Sequence, residues 1–352
     1  MRSFTYTSLP GRVVFGAGRV ADLPAEVQRL NLSRVLVLCT AGQTALAGQM
    51  ATLLGPLCAG IHAGAVMHVP EAVADAALTH VQQQRVDGIV AVGGGSTIGL
   101  GKIIALKTGL PVIAIPTTYA GSEMTPIWGI TRNGLKTTGR DMQVLPKTVI
   151  YDCELSMSLP VGISVTSGIN AIAHCVEGLY AQNANPVTSM MAEASIRALA
   201  QGLPRIVSNL RDIEARSQAL YGAWLAGNVL GTVGMALHHK ICHTLGGSFN
   251  LPHADVHTVM IAQVTAYNRS AAPEAMARIA NALGTADAAT GLYDLIVRLG
   301  APHALRDIGM QQGDLDQAAA LATSNPYYNP REVTRESVRS LLQAAYEGNR
   351  PQ

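Results

Sequence analysis

The hydrophobic pattern of this chain changes about halfway along. In the first half, short runs rich in β-branched residues alternate with amphipathic segments, and Arg34–Leu38, Gly88–Val92 and Val112–Ile115 are candidates for buried strands. Such runs, when helical segments lie between them, are typical of a parallel sheet with helical crossovers. The pattern therefore predicts an α/β domain at the beginning of the chain.

After Leu159 and Pro160, long stretches rich in Ala, Leu and Met replace the β-branched runs. Residues of high helix propensity in stretches of this length predict helices. The clearest of them are Ser189–Gln201, Arg216–Leu230, Pro273–Leu283 and Glu336–Glu347. We predict two domains, an α/β domain over residues 1–156 and an all-α domain over residues 157–352, and we expect ligands to bind in the cleft between them.

Composition narrows the class of protein. The 352 residues are 48% hydrophobic and 14% charged, the formal net charge is +2, and no Lys/Arg run offers a binding surface for nucleic acid. We find no apolar run long enough to span a membrane and no signal-peptide core near Met1. The five cysteines are scattered, which favours free thiols in a reducing compartment. We therefore expect a cytoplasmic protein that does not bind membranes or nucleic acid.

Two glycine clusters are candidates for binding the phosphates of a cofactor. Gly16–Gly18 follows an apolar run, but the next strand ends at Thr40 without the acidic residue that would bind a ribose hydroxyl, so we interpret this cluster as a turn. The segment 93–96 follows the strand candidate Gly88–Val92 and begins a helical stretch. Glycine lets backbone N–H groups approach a pyrophosphate closely, and the helix N-terminus favours an anion.

A hydroxyl-rich loop follows the next strand candidate, Val112–Ile115. Ligands of open parallel sheets bind at the carboxyl edge, where the ends of neighbouring strands meet. The two segments together favour a dinucleotide and hence a Rossmann-like domain. The candidate cofactor-binding residues at this edge are Gly93, Gly94, Gly95, Ser96, Thr117, Thr118 and Ser122.

The second half of the chain carries a group of imidazoles. His239, His243 and His253 follow one another closely, and Asn170 and His174 precede them at a spacing of four. Residues four apart in a helix share a face, so these side chains are able to converge. The set is typical of a divalent-metal site in which an amide replaces the carboxylate, although such an ion normally gains from an anionic ligand.

These motifs together resemble the iron-containing (group III) alcohol dehydrogenases. The resemblance is carried by Gly93–Ser96 with Lys102, by Pro116–Glu123, and by the histidine segment that ends at His253. It implies that the glycine loop binds the pyrophosphate of NAD(P), that the threonine pair lines the cofactor, and that Lys136 lies near its ribose. We interpret Lys102 as structural. By the same resemblance the family's metal ligands fall on Asn170, His174, His239 and His253, and His243 lies near the nicotinamide.

Two positions depart from that pattern, since Asn170 and Gly99 each stand where an aspartate is usual. Both departures resemble the maleylacetate reductase branch, as do Gly93–Lys102, Pro116–Pro126 and Leu237–Gly247. That branch reduces 2-maleylacetate to 3-oxoadipate with NADH or NADPH in the breakdown of resorcinol, hydroxyquinol and chlorinated aromatics. The resemblance also implies a homodimer. Because Thr40 leaves no charge to exclude a 2'-phosphate, NADPH stays possible, and we favour NADH.

The chemistry of an enone suits a site without an anionic metal ligand. Hydride that adds β to the ketone places charge on the ketone oxygen as an enolate, which hydrogen-bond donors stabilise. We expect His243 to donate to this oxygen or to protonate carbon, with His239 assisting. Without a metal, His174, His239 and His253 are expected to be free donors, and the uncharged Asn170 avoids repelling a dianionic substrate.

The two carboxylates of such a substrate need cationic or N–H partners. The candidates are Lys240, Arg140, His238, Tyr327 and Tyr328. Two other functions are considered: a metal-dependent alcohol dehydrogenase in which Asn170 coordinates through its carbonyl oxygen, and a non-catalytic nucleotide-binding protein. The remaining histidines, His257 included, are given no role.

Overall fold

The computed structural model describes residues 3–132, 135–325 and 327–352. The chain divides into two units: one is Leu9–Leu159, here called the α/β unit, and the other, the helical unit, comprises the segment up to Ser8 together with Pro160–Gln352. The sequence analysis placed this division at residues 156 and 157 and assigned the first residues to the α/β domain. In the structure the division comes slightly later, and the N-terminal segment is grouped with the helical unit.

The α/β unit is built on a six-stranded parallel sheet in the order β1-β8-β5-β4-β2-β3. The strands of the described residues are β1 (Arg12–Phe15), β2 (Val35–Leu38), β3 (Cys58–His62), β4 (Gly88–Gly93), β5 (Val112–Pro116), β6 (Ile127–Arg132), β7 (Leu135–Arg140) and β8 (Thr148–Tyr151). Strands β6 and β7 form a separate antiparallel pair. The three strands predicted from sequence are confirmed as β2, β4 and β5. The register pairs Gly93 with Pro116, so the carboxyl ends of β4 and β5 lie side by side.

Strands β2, β4, β5 and β8 are buried along their whole length, which is why each reads as an unbroken apolar or β-branched run. The α-helices of this unit are α1 (Leu23–Arg29), α2 (Thr44–Leu54), α3 (Glu71–Gln83) and α4 (Gly95–Thr108). Residues of α3 and α4 pack with β2 and β4 in one apolar cluster, and residues of α1 and α2 pack with β2, β4 and β5 in another. The sheet is thus covered by helices on both faces.

The helical unit contains no strand among its described residues. Its α-helices are α5 (Val161–Leu179), α6 (Pro186–Ser208), α7 (Ile213–Thr232), α8 (Leu237–Phe249), α9 (His253–Asn268), α10 (Pro273–Leu283), α11 (Ala288–Arg298), α12 (Leu315–Ala322) and α13 (Arg335–Glu347). The four helical stretches predicted from sequence lie in α6, α7, α10 and α13. The predicted fold class, a parallel α/β domain followed by a helical domain, is confirmed.

Helix α5 is the central helix of this unit. Every residue from Ser164 to Leu179 is buried, because α6, α7 and α9 pack around it. A helix that is buried all round has no solvent-facing stripe, so each polar side chain on it must find an internal partner.

No single helix in the described part of the chain is both long and apolar enough to cross a membrane. Helices α7 and α8 pass that test together by length and composition, but they are bent by 97° where they meet.

Candidate active site

The glycine loop at the end of β4 is shaped by close contacts. Gly93 has a φ of +151°, and a Cβ atom there would lie 2.5 Å from Oγ1 of Thr97 and 2.7 Å from Oε1 of Gln43. Gly95, the first residue of α4, is exposed, and a Cβ atom there would meet nothing within 4 Å. The start of α4 therefore combines open space with the unpaired N–H groups of a helix N-terminus, as an anion site requires.

The threonine pair lies against this loop. The N–H of Thr117 donates to the carbonyl of Gly93 at 3.0 Å, and Nε2 of Gln43 donates to Oγ1 of Thr117 at 3.0 Å. A Cβ atom on Gly94 would lie 3.0 Å from Cγ2 of Thr118. The structure thus brings the two predicted cofactor segments together. Gln43 was not predicted from the sequence, although its position just after β2, the neighbour of β4, is a signal that points to it.

Lys102 holds the loop that carries Ser122. Its Nζ atom is buried and donates to the carbonyl and hydroxyl of Ser122, to Oγ1 of Thr125 at 2.9 Å and to the carbonyl of Ile127 at 2.9 Å. Burial lowers the pKa of Lys102 to about 7, against the opposing attraction of the Glu123 carboxylate. These contacts agree with the structural interpretation of Lys102.

The earlier glycine cluster binds its own chain. Gly16 and Gly18 both have positive φ, and the N–H groups of Gly18 and Val20 donate to the two carboxylate oxygens of Asp152 at 3.1 and 2.9 Å. Because an internal carboxylate already takes these N–H groups, they are not available to a phosphate. The turn interpretation of this cluster fits that arrangement.

Lys136 and Arg140 lie on β7 and are exposed. Lys136 is opposite Thr131 and Arg140 is opposite Ile127 in the pair with β6. Their proposed contacts with cofactor and substrate stay predictions.

Helix α5 presents one polar stripe. Asn170, His174 and Glu177 stand at spacings of four and three, so they lie on one face of a buried helix. Asn170 and His174 were predicted from the sequence, whereas Glu177 was not. The helical spacing points to Glu177 as well, because a carboxylate three residues after the candidate ligand His174 lies on the same face of the helix.

Glu177 is fully buried, and its carboxylate contacts four nitrogen atoms of Ala236 and the first turn of α8. Oε1 accepts from the N–H of His238 at 2.7 Å, while Oε2 accepts from the N–H groups of Ala236 and His239 at 3.0 and 3.3 Å. Oε2 also lies 2.6 Å from Nδ1 of His239. A single carboxylate thus satisfies the helix N-terminus and orients an imidazole.

The histidines of α5 and α8 are bonded to one another. Nδ1 of His174 lies 2.8 Å from Nε2 of His239, and Nε2 of His174 lies 3.4 Å from Nδ2 of Asn170. Oδ1 of Asn170 is buried and has no hydrogen-bond partner. The expectation that His174 and His239 are free donors is therefore wrong, because each already engages a neighbouring side chain.

His243 and His253 are the more accessible members of the group. His243 is exposed and His253 is half-buried, and their rings stack at 6.1 Å with an interplanar angle of 18°. The ring of His243 is also edge-on to that of His239 at 6.1 Å. Solvent therefore reaches the rings of His243 and His253, whereas those of His174 and His239 are buried.

His257 lies at the centre of the histidine cluster, although the sequence analysis gave it no role. It follows His253 by one helical turn, and its ring lies 4.4 Å from that of His253 and 4.9 Å from that of His239. Its Nδ1 atom is 2.9 Å from Nε2 of His238. The helical spacing from His253 was the overlooked signal.

His238 is unsuited to the carboxylate-binding role predicted for it. It is buried beside His257 and Cys242, and burial, with smaller contributions from His239 and His243, lowers its pKa well below the usual range. A neutral, enclosed imidazole offers no positive charge to a substrate. That prediction is corrected on this physical ground.

Two other carboxylate candidates lie together. Nζ of Lys240 lies 5.8 Å from the ring centroid of Tyr327, a cation–π contact. Tyr327 is half-buried with a hydroxyl that has no hydrogen-bond partner, and Tyr328 is exposed. Lys240 thus lies over the face of the Tyr327 ring, whose hydroxyl is buried.

Comparisons with known proteins agree with this architecture. Residues 10–153 match the model of the iron-containing alcohol dehydrogenases, and residues 164–346 match that of the C-terminal part of the Fe-containing alcohol dehydrogenase family. The chain belongs to this family, in its maleylacetate reductase branch. The resemblance inferred from the motifs is confirmed, and the protein is an oxidoreductase.

Relatives within the branch cover the chain almost end to end. A maleylacetate reductase from Sphingobium indicum is 52% identical over 348 residues, which are 99% of each chain. The solved maleylacetate reductase from Rhizobium sp. strain MTP-10005 is 52% identical, with a TM-score of 0.97 and full coverage of both chains. A structure from Ralstonia eutropha JMP134, described provisionally as an alcohol dehydrogenase, is 60% identical with a TM-score of 0.99 and full coverage.

The metal of this family does not fit the side chains as they are arranged. None of the four inherited positions carries a negative charge, since Asn170 replaces the carboxylate. Nδ1 of His174 and Nε2 of His239 are directed at each other across 2.8 Å rather than at a common centre. Among the described residues, the group of three whose ligand atoms lie within 4.8 Å of one another is a different one, His238, Cys242 and His257. These side chains therefore do not fit the metal of the family.

The second departure from the family pattern has a steric counterpart. A Cβ atom on Gly99 would lie 3.1 Å from Cγ2 of Val69, a residue that itself has a positive φ of 44°. A side chain at position 99 requires Val69 to move.

Proposed function

We propose that this chain reduces 2-maleylacetate to 3-oxoadipate with NAD(P)H, and that it does so without a metal. The observation that carries the proposal is the site of Asn170, where an amide on a buried helix contacts the imidazole of His174, which is itself bonded to that of His239. End-to-end similarity to maleylacetate reductases supports the choice of substrate. A metal-dependent alcohol dehydrogenase needs a cation cage, which this arrangement does not favour.

The reaction needs a hydride, a proton and a place for transient negative charge. Hydride from C4 of the nicotinamide adds to the alkene carbon β to the ketone, and the π electrons move onto the ketone oxygen as an enolate. Protonation of the alkene carbon α to the ketone then gives the saturated ketone. Donors aimed at the enolate oxygen lower the barrier because they stabilise charge that develops in the transition state.

His243 is the residue best suited to supply the proton. It is exposed, so it exchanges protons with solvent, whereas His174 and His239 are buried and bonded to each other. His253 stacks beside it and supplies a second imidazole at the same accessible edge. The imidazole group is suited to act as an acid or a base near neutral pH.

The cofactor is proposed to bind at the segments 93–96 and 117–122 of the α/β unit. The open first turn of α4 at Gly95 suits a pyrophosphate, and Thr117 and Thr118 border it. NADH is the preferred form and NADPH stays possible, because Thr40 bears no charge. Lys240 and Tyr327 are proposed to bind one substrate carboxylate. We also propose that the protein is a cytoplasmic homodimer that binds neither nucleic acid nor membranes.

A direct test follows the oxidation of NADH and of NADPH with maleylacetate, using protein purified without chelators. We expect turnover, less than one metal ion per chain, and no loss of activity after EDTA treatment. Stoichiometric iron or zinc together with EDTA inactivation would instead support the metal-dependent alcohol dehydrogenase. Absence of turnover with every carbonyl substrate would favour a non-catalytic nucleotide-binding protein.

A further inference from the structure

We propose that Glu177 is a positioning residue that sets the direction of a hydrogen-bonded chain running through His239 and His174 to Asn170. The proposal rests on the proposed function only for its kinetic consequence. Its structural part concerns which nitrogen of each ring carries hydrogen, a property of the protein without substrate.

Glu177 acts as an acceptor at both oxygens. Three backbone N–H groups and one imidazole nitrogen surround its carboxylate, and the side chain is fully buried in α5. Backbone N–H groups already donate to both oxygens, and a carboxylate is ordinarily a weaker base than an imidazole, so the hydrogen shared between Oε2 and Nδ1 belongs to the ring. The partner nitrogen, Nδ1 of His239, must therefore be the donor.

The direction set at Glu177 passes to the next ring. A neutral His239 that donates from Nδ1 has a lone pair on Nε2. That atom is 2.8 Å from Nδ1 of His174, so His174 donates from Nδ1 and keeps a lone pair on its own Nε2. Both rings adopt the same tautomer, and neither directs a spare hydrogen to a ligand.

Asn170 completes the chain in a way that a carboxylate cannot. The lone pair on Nε2 of His174 faces Nδ2 of Asn170 at 3.4 Å, and the amide has a hydrogen to donate. An ionised aspartate at position 170 has none, so it would leave two acceptors facing each other unless a cation lay between them. The amide therefore matches the direction that Glu177 imposes, and it leaves its Oδ1 atom as an unpartnered acceptor for a donor group of the bound ligand.

The chain also assigns tasks among the histidines. His174 and His239 donate their hydrogens to internal acceptors, so His243 is the residue that protonates the substrate. Its ring contacts that of His239 edge-on. Glu177 thus acts through His239, by fixing the ring against which His243 packs.

The structural part is tested by 15N NMR of the ligand-free wild-type enzyme labelled at histidine, with the His239 signals assigned by their loss in His239→Gln. We expect the shifts of a neutral ring protonated at Nδ1. A ring protonated at Nε2, or at both nitrogens, overturns the proposal. This readout needs no turnover, so it is independent of whether maleylacetate is the substrate.

The kinetic part compares Glu177→Gln with Glu193→Gln. Glu193 is the control, because it lies on α6 and its carboxylate pairs with Arg278 and not with a member of the hydrogen-bonded chain. In Glu177→Gln an amide N–H group faces the N–H donors of α8, so we expect a mixture of His239 tautomers and a kcat lower by about 10- to 100-fold, with KM little changed. The control should retain the wild-type kcat and spectrum. If Glu177→Gln folds with an unchanged His239 spectrum, the positioning role is refuted whatever its kcat. If it does not fold, the wild-type spectrum alone decides.

Failure of the proposed function gives a different pattern. In that case wild-type protein does not reduce maleylacetate, while its His239 spectrum still shows the Nδ1-protonated ring.

Discussion

Nδ1 of His174 lies 2.8 Å from Nε2 of His239, although these residues are on different helices, 65 positions apart in the sequence. Two nitrogens at this distance share one hydrogen, so neither is directed at a third group. The contact separates this site from one in which both rings bind a metal, and it leaves His243 as the accessible imidazole of α8.

Replacing His243 by Ala should lower kcat with maleylacetate by about 10²- to 10⁴-fold, the range for losing a general acid. The side chain is exposed, so the thermal midpoint should change little. His303→Ala, which removes a histidine that contacts Tyr293 edge-on, is the control and should retain wild-type turnover. Wild-type turnover in His243→Ala would remove His243 from the mechanism.

Asn170→Asp should convert the site towards metal binding. It places a negative charge beside Nε2 of His174, which draws a divalent cation and repels a dianionic substrate. Elemental analysis after incubation with zinc or ferrous iron should show more bound metal than in wild type, and kcat/KM for maleylacetate should fall. Asn183→Asp, at an exposed asparagine, should do neither. Equal metal content in Asn170→Asp and wild type would contradict the assigned role of the amide.

Gly95→Ala and Gly93→Ala should fail in different ways. The methyl group at position 95 meets no protein atom, so the fold should persist while KM for NADH rises by about 10- to 100-fold, as expected when a hydrogen bond to a charged group is lost. The methyl group at position 93 meets Thr97 and Gln43 in a backbone conformation that favours glycine, which should reduce the free energy of unfolding by about 1–3 kcal/mol. Thermal melts and cofactor titrations separate the two. An unchanged KM in Gly95→Ala would place the pyrophosphate elsewhere.

Stability should fall in acid because of the pair His238 and His257. Burial is the largest cause that lowers the pKa of each well below the usual range, so the folded protein holds both rings neutral while the unfolded chain protonates them. Their contribution is fully present above the unfolded pKa of about 6.5 and is lost as the pH falls below it, by about 1.4 kcal/mol per pH unit for each ring. Urea unfolding at several pH values measures this slope.

His257→Asn is the matched variant for that experiment. Since one of the two buried rings is removed, the acid slope of the free energy of unfolding should fall by about 1.4 kcal/mol per pH unit relative to wild type. An undiminished slope would mean that other groups cause the acid sensitivity.

The sequence predicts those parts of this protein in which one local pattern determines the structure. Strands β2, β4 and β5 are continuous runs of apolar residues because both faces are buried, whereas the edge strand β3, with the sequence CAGIH, lacks that composition and was missed. The buried strand β8 was also missed, since its four residues, TVIY, make a short run. The helical spacing of Asn170 and His174 likewise predicts a shared face. It does not predict that Glu177 bonds to the first turn of α8, because that contact depends on how two distant helices pack. Tertiary packing also decides that His238 is enclosed and neutral while His243, five residues later, is exposed.

The contact between positions 99 and 69 constrains how this sequence can vary. An aspartate at position 99 puts a Cβ atom 3.1 Å from Cγ2 of Val69, so the valine side chain must give way by a few tenths of an ångström, and a smaller residue at position 69 relieves the contact. Substitutions at the two positions should therefore be epistatic: the double variant Val69→Ala/Gly99→Asp should lose less stability than the sum of the losses of the two single variants. Across homologous chains, a small residue at position 69 should accompany an acidic residue at position 99.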